Sequence, residues 1–135
     1  LAPYEALHLM AGGWLEVSSK KPDVKIEFEE LLRTYMKIDK KIWAKYLIYR
    51  DLRERGYAVK LGFGLGVDFR VYERGVYGRE AAKYIIYSIF EGEPLPIREV
   101  ADALSSAQNL KKELILGVIE RRGEIVYYSL SQFNV

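Results

Sequence analysis

Apolar positions recur at two different periods along this chain, and each change of period marks an element. Ala6, Leu7 and Met10, after Pro3, fit one face of a short helix over residues 1–11, which Gly12 and Gly13 stop. Trp14-Leu15-Glu16-Val17 alternates weakly, predicting a short strand, and the polar run from Ser18 to Asp23 reads as a loop. Phe28, Leu31, Leu32, Tyr35 and Met36 return to helical spacing and predict a second helix ending near Ile38. Asp39 then suits the N-cap of a longer helix, and Gly56 suits the left-handed position that closes it. The stripe of that helix is Ile42, Trp43, Tyr46, Leu47 and Tyr49. Its other side carries Lys40, Lys41, Lys45, Arg53 and Arg55, with Arg50–Glu54 and Asp51–Arg55 as i,i+4 pairs. On charge pattern alone that side is a solvated helix face.

After Gly56 the period drops to two. Strands are predicted at Tyr57–Lys60, at Val67–Tyr72 and at Tyr84–Phe90. Pro94 and Pro96 open a helix whose stripe is Ile97, Val100, Ala101 and Leu104. Leu114–Ile119 is apolar almost throughout, as a strand buried on both faces would be, and Ile125–Phe133 is the last strand. The fold class is α/β. A small α/β N-terminal piece, 1–38, precedes a larger domain, 39–135, with a mixed sheet flanked by helices. Fold class alone names no function.

Half of the 135 residues are apolar (50%) and 30% are charged, which gives a core large enough to offset ordering entropy and excludes a disordered chain. No apolar run approaches the roughly 18 residues of a membrane span. The net charge of +2 is too balanced for whole-molecule adhesion to nucleic acid, so any such site is a local patch or is shared with a partner. Cysteine is absent, which excludes disulfides and thiolate chemistry and fits a reducing cytoplasm, or a hot one where thermolabile residues are thinned. The single histidine, His8, rules out a cluster of imidazole metal ligands, and its apolar surroundings suit a structural role. The chain opens on Leu1 with no secretory signal, as a trimmed or partial N-terminus would. Gly62, Gly64 and Gly66 lack phosphate-loop spacing and lead into a strand, so a turn between strands is the expectation.

A longer pattern carries more. The run Tyr49-Arg50-Asp51-Leu52-Arg53-Glu54-Arg55-Gly56-Tyr57-Ala58-Val59-Lys60, followed by Gly66-Val67-Asp68-Phe69-Arg70-Val71-Tyr72, resembles the signature of the archaeal tRNA-splicing (tRNA-intron) endonucleases. Glu5-Ala6-Leu7-His8-Leu9 with Gly13-Trp14-Leu15-Glu16-Val17 resembles that family's N-terminal domain. Ala107-Gln108-Asn109-Leu110-Lys111-Lys112-Glu113-Leu114 and Ile125-Val126-Tyr127-Tyr128 resemble its C-terminal segments. The match runs in order over nearly the whole chain, without the upstream part of the family's N-terminal domain.

The resemblance implies a truncated N-terminal domain, a nuclease-like C-terminal domain and metal-independent RNA cleavage with no cofactor. A ribose 2′-OH attacks the adjacent phosphate and leaves a 2′,3′-cyclic phosphate and a 5′-OH, which needs a base, an acid and a cation beside the phosphorane. The family supplies these with Tyr, His and Lys. Tyr72 matches the tyrosine and Lys112 the lysine. The histidine, expected three residues before a strand-opening tyrosine, falls on Ala81, three before Tyr84. Losing a positioned acid costs roughly 10² to 10⁴ in rate. A Lys-Phe pair expected nearby is Gly64-Leu65, and an arginine expected to clamp a bulged base falls on Ser105.

These departures imply the structural subunit of the crenarchaeal α2β2 heterotetramer, working with a catalytic paralogue on precursor tRNA at bulge-helix-bulge motifs. The subunit interface implied is the last strand, Ile125, Val126, Tyr127, Tyr128, Ser129 and Leu130, with Arg121 and Arg122 at the hairpin tip. Candidate RNA contacts are Lys40, Lys41, Lys45 and Arg70. Two other readings stay open: an active subunit with Glu80 or Lys83 as substitute acid, and a non-catalytic RNA-binding module using the Lys40, Lys41, Lys45 face.

Overall fold

The structure, a computed structural model, describes residues 1–20, 24–62 and 67–131. Its internal contacts divide the chain into two compact units, Leu1–Arg50 and Asp51–Val135, with the division inside the third helix.

The first unit holds α1 (Pro3–Ala11), β1 (Val17–Ser18), β2 (Lys25–Ile26), α2 (Phe28–Ile38) and most of α3 (Ile42–Glu54). Pro3 opens α1, where a missing N–H costs nothing, and the Glu5 carboxylate accepts the Ala2 amide hydrogen. Tyr4, Leu7, Ile42 and Ile48 are almost wholly buried. The Tyr4 and Tyr49 rings lie 4.7 Å apart, and His8 meets Tyr49 edge-on at 5.3 Å, as a structural histidine does. The strand expected over 14–17 is displaced. Trp14 is 72% exposed, and the pairing is a two-residue ribbon, Val17↔Ile26 and Ser18↔Lys25, whose second strand the polar sequence did not signal.

The second unit is built on a five-stranded sheet in the order β3 (Ala58–Leu61), β4 (Phe69–Tyr72), β5 (Tyr84–Phe90), β6 (Glu113–Ile119), β7 (Ile125–Leu130). Only β5 and β6 run parallel, because α4 (Ile97–Asn109) between them returns the chain to the same end. Ile85, Tyr87 and Leu114 pack with Val100, Ala103 and Ala107 of α4. On the opposite face Phe69, Val71 and Ile86 are buried. Of the stripe expected for α4, Val100 and Leu104 pack on the core, but Ile97 and Ala101 do not. Ile97 is 69% exposed and Ala101 is exposed, while Ala103 and Ala107 are buried. The buried line is rotated by roughly 75° from the expected one at 3.6 residues per turn. Side chains as large as Ile85, Tyr87 and Leu114 leave room for the small side of the helix. The turn expected at Gly64 and Gly66 lies outside the described residues.

Candidate functional site

The register of the sheet decides which of the sequence-predicted residues meet. Val71 lies opposite Tyr84, and Tyr84 opposite Glu113. One step further along, Tyr72 at the end of β4, Lys83 just before β5 and Lys112 just before β6 form a row at one end of the sheet. Pairing of Arg70 with Ile85, and of Ile85 with Leu114, places Tyr72 and Lys112 on the same face. Two interstrand spacings, roughly 10 Å, separate their backbones.

Lys112 is held there by the way α4 ends. Lys111 adopts φ 56°, the one described non-glycine residue with positive φ, and the Lys112 amide donates to the Ala107 carbonyl at 2.8 Å. This is a Schellman closure with lysine in the place usually taken by glycine. The Lys112 ammonium donates to the Ala82 carbonyl at 2.5 Å. The residue before Ala82 is Ala81, exposed, at the position where the resemblance expects an acid.

Tyr72 is nearly buried, and its hydroxyl accepts a long hydrogen bond, 3.4 Å, from Arg70. Arg70 is itself fixed by its Nε bond to the Leu61 carbonyl at 2.6 Å. The segment from Glu73 to Lys83 closes on itself through Val76, whose carbonyl accepts from both Arg79 and Glu80, and through the Lys83–Glu73 ion pair at 3.1 Å. Hydrogen bonding to Glu73 holds the Lys83 ammonium above its ordinary range, so it keeps its proton more firmly. Arg74 donates from its guanidinium to the Arg55 carbonyl and caps α3. Gly56, at φ 92°, makes room for it, since a Cβ there would lie 2.4 Å from the Arg74 Nε.

Lys40, Lys41 and Lys45 belong to the first unit, and the Lys45 ammonium is committed to Asp39 at 2.7 Å. Burial pushes the Asp39 carboxyl up, but the hydrogen bonds and charges of Lys45 and Lys41 outweigh it and hold the group below its ordinary value. Strand β7 stands at the sheet edge, pairing with β6. Its Tyr127 hydroxyl donates to Asp51 at 2.5 Å, Arg55 packs on the ring, and Ser129 donates to Glu113. Burial and the Asp51 carboxylate push the Tyr127 hydroxyl strongly up. On the other face Leu130 packs into the core and Tyr128 is 50% exposed. Arg121 and Arg122 are exposed at the hairpin tip.

Sequence reasoning missed two features. An apolar pocket of about 190 Å³ lies between Leu52, Val71, Ile86 and Tyr127. Tyr77 stands edge-on to Tyr72 with ring centroids 4.9 Å apart, and the Lys60 ammonium lies 5.0 Å from its ring centre. The glycines flanking Tyr77, Gly75 and Gly78, were the available signal. Among the described residues no three His, Asp or Glu side chains group as metal ligands would, and no helix is long and apolar enough to cross a membrane.

Comparison with known proteins adds to this geometry. The family described as tRNA intron endonuclease, catalytic C-terminal domain, matches residues 42–127. The chain belongs to the tRNA intron endonuclease family. The tRNA-splicing endonuclease of Methanococcus vannielii is 38% identical over 135 residues, all of this chain and 76% of that protein. That of Thermococcus kodakarensis is 32% identical over 130 residues, 96% of this chain and 75% of that protein. A third, from Methanococcoides burtonii, is 34% identical over 129 residues, and the chain spans 35% of it. The stretch matched to the tRNA intron endonuclease domain starts with α3, ends within β7 and contains Tyr72, Ala81 and Lys112.

Proposed function

We propose that this chain is the structural subunit of an archaeal tRNA-splicing endonuclease, an α2β2 assembly of the crenarchaeal type with a catalytic paralogue. The assembly cuts precursor tRNA at bulge-helix-bulge motifs without a metal and leaves 2′,3′-cyclic phosphate and 5′-OH ends. Family membership and the names of the relatives support the substrate class. The observation that carries the subunit role is the sheet end itself. Tyr72 and Lys112 share a face there, while position 81, where the resemblance expects the acid, is an exposed alanine whose side chain has no proton to give the leaving 5′ oxygen. Lys83, held charged by Glu73, is a poor substitute. The partner's contact falls to the open edge of β7 in this reading, with Tyr128 outward and the arginine hairpin beside it.

The test is cleavage of a bulge-helix-bulge precursor by the chain alone, by the mixture with its catalytic paralogue, and by the Ala81→His variant. The expected result is cutting in the mixture at a mass of four subunits, none by the chain alone, and slow cutting gained by Ala81→His. That gained activity disappears when Tyr72→Phe or Lys112→Ala is added. Cleavage by the unaltered chain, lost on Glu80→Gln or Tyr72→Phe, overturns the structural role.

A further inference from the structure

We infer that the sheet end keeps an RNA contact of its own, a platform on which the Tyr77 ring stacks one unpaired base while Lys60 and Lys112 meet the neighbouring phosphates. This rests on the reading that the chain works on precursor tRNA. Tyr77 is 54% exposed although its ring touches Tyr72. A large aromatic group is therefore left open to solvent at the place where the strand chemistry converges. It is also held still. Gly75 and Gly78 turn the backbone on either side at φ 74° and 87°, Tyr77 bridges to Glu80, and the Lys83–Glu73 pair closes the base of the segment. An aromatic ring fixed beforehand loses little entropy when a base stacks on it.

Register puts Lys60 and Lys112 on the same face of the sheet, and their charge suits a phosphate backbone. Lys60 lies over the Tyr77 ring, and the Lys112 ammonium, bound to one carbonyl, keeps further hydrogens for another acceptor. Among the described residues neither lysine forms an ion pair. Aromatic faces interleaved with such cations bind single-stranded nucleic acid, because stacking needs a base face that a duplex hides. Without an acid at Ala81 the contact positions RNA and does not cut it.

The experiment measures binding of a hairpin RNA carrying a 2-aminopurine in a three-nucleotide bulge, against the fully paired hairpin. It uses the full chain alone and in complex with the catalytic paralogue. Tyr77→Leu keeps an apolar cover over Tyr72 but removes the flat ring, and is expected to weaken bulge binding roughly 5- to 100-fold with an unchanged melting temperature. Tyr77→Trp retains binding, and Lys60→Gln lowers the salt dependence by about one phosphate contact. Equal binding of bulged and paired hairpins, or wild-type binding by Tyr77→Leu, overturns the platform. The mass and cleavage rate of the Tyr77→Leu complex report the structural role separately. A normal complex with unaltered RNA binding rejects the platform and leaves that role standing, whereas a chain that stacks the base but never assembles rejects the role.

Discussion

Lys112 reaches its place because Lys111 bends the backbone into the left-handed region, which costs a residue with a Cβ roughly 1–2 kcal/mol relative to glycine. Glycine would relieve that cost but lose more freedom on folding, so Lys111→Gly is expected to stabilise by about 0.5–1 kcal/mol. Lys111→Ala, with a Cβ of its own, should be neutral. Urea unfolding of the two variants separates these outcomes, and equal stability of both would show that the turn stores no strain. At the same scale, the contrast between Tyr72 and Ala81 is one of chemistry and not of placement. Ala81 precedes the residue whose carbonyl Lys112 holds, and its methyl group has no proton to donate.

Among the elements, β5 is buried along almost its whole length, and it includes Ser88, wholly buried. The Ser88 amide donates to Asp68 at 2.7 Å, but its hydroxyl has no hydrogen-bond partner among the described residues. An unpaired buried hydroxyl costs about 1–3 kcal/mol, less the small cavity that its removal leaves. Ser88→Ala is therefore expected to raise the melting temperature by about 2–4 °C. A lower melting temperature would mean that the hydroxyl has a partner. Edge strand β7 poses the opposite problem. Tyr127 and Ser129 on one face are tied to Asp51 and Glu113, and on the other face Tyr128 is half exposed and open to substitution. Tyr128→Glu should leave the chain folded and reduce the mass of the mixed complex below four subunits by light scattering. A full-size complex would remove β7 from the proposed interface.

For the whole molecule, alkaline pH tests the buried tyrosines together. Burial and the hydrogen bond to Glu99 push Tyr87 up to about 12, and burial with Asp51 pushes Tyr127 higher still. The folded state thus prefers both hydroxyls protonated. Their contribution is complete below about pH 10, where unfolded tyrosine ionises, and is lost as the pH climbs through the folded values. Urea midpoints should hold steady from pH 8 to pH 10 and fall between pH 10 and 12, with a shallower fall in Tyr87→Phe combined with Tyr127→Phe. An equally steep fall in that variant would assign the alkaline loss to other groups.

The sequence by itself determined the elements whose pattern is local. Tyr84–Phe90 is the observed β5, and the Phe28–Ile38 helix ends where the period stopped, because side-chain periodicity and stop signals act over a few residues. Its resemblance to a family pattern also singled out Tyr72, Ala81 and Lys112 as positions to look for in the fold. It did not place β2, which has two residues and no apolar alternation, or the buried side of α4, which depends on the volumes already standing on the sheet. Tertiary structure alone decided that residues 72 and 112, forty positions apart, share one face at one end of the sheet. That outcome required the parallel crossover through α4 and the register of three strands, neither of which is written in any local period. Tyr77 and Lys60 came together for the same reason, since register across β3 and β4 pairs residues that the chain keeps apart.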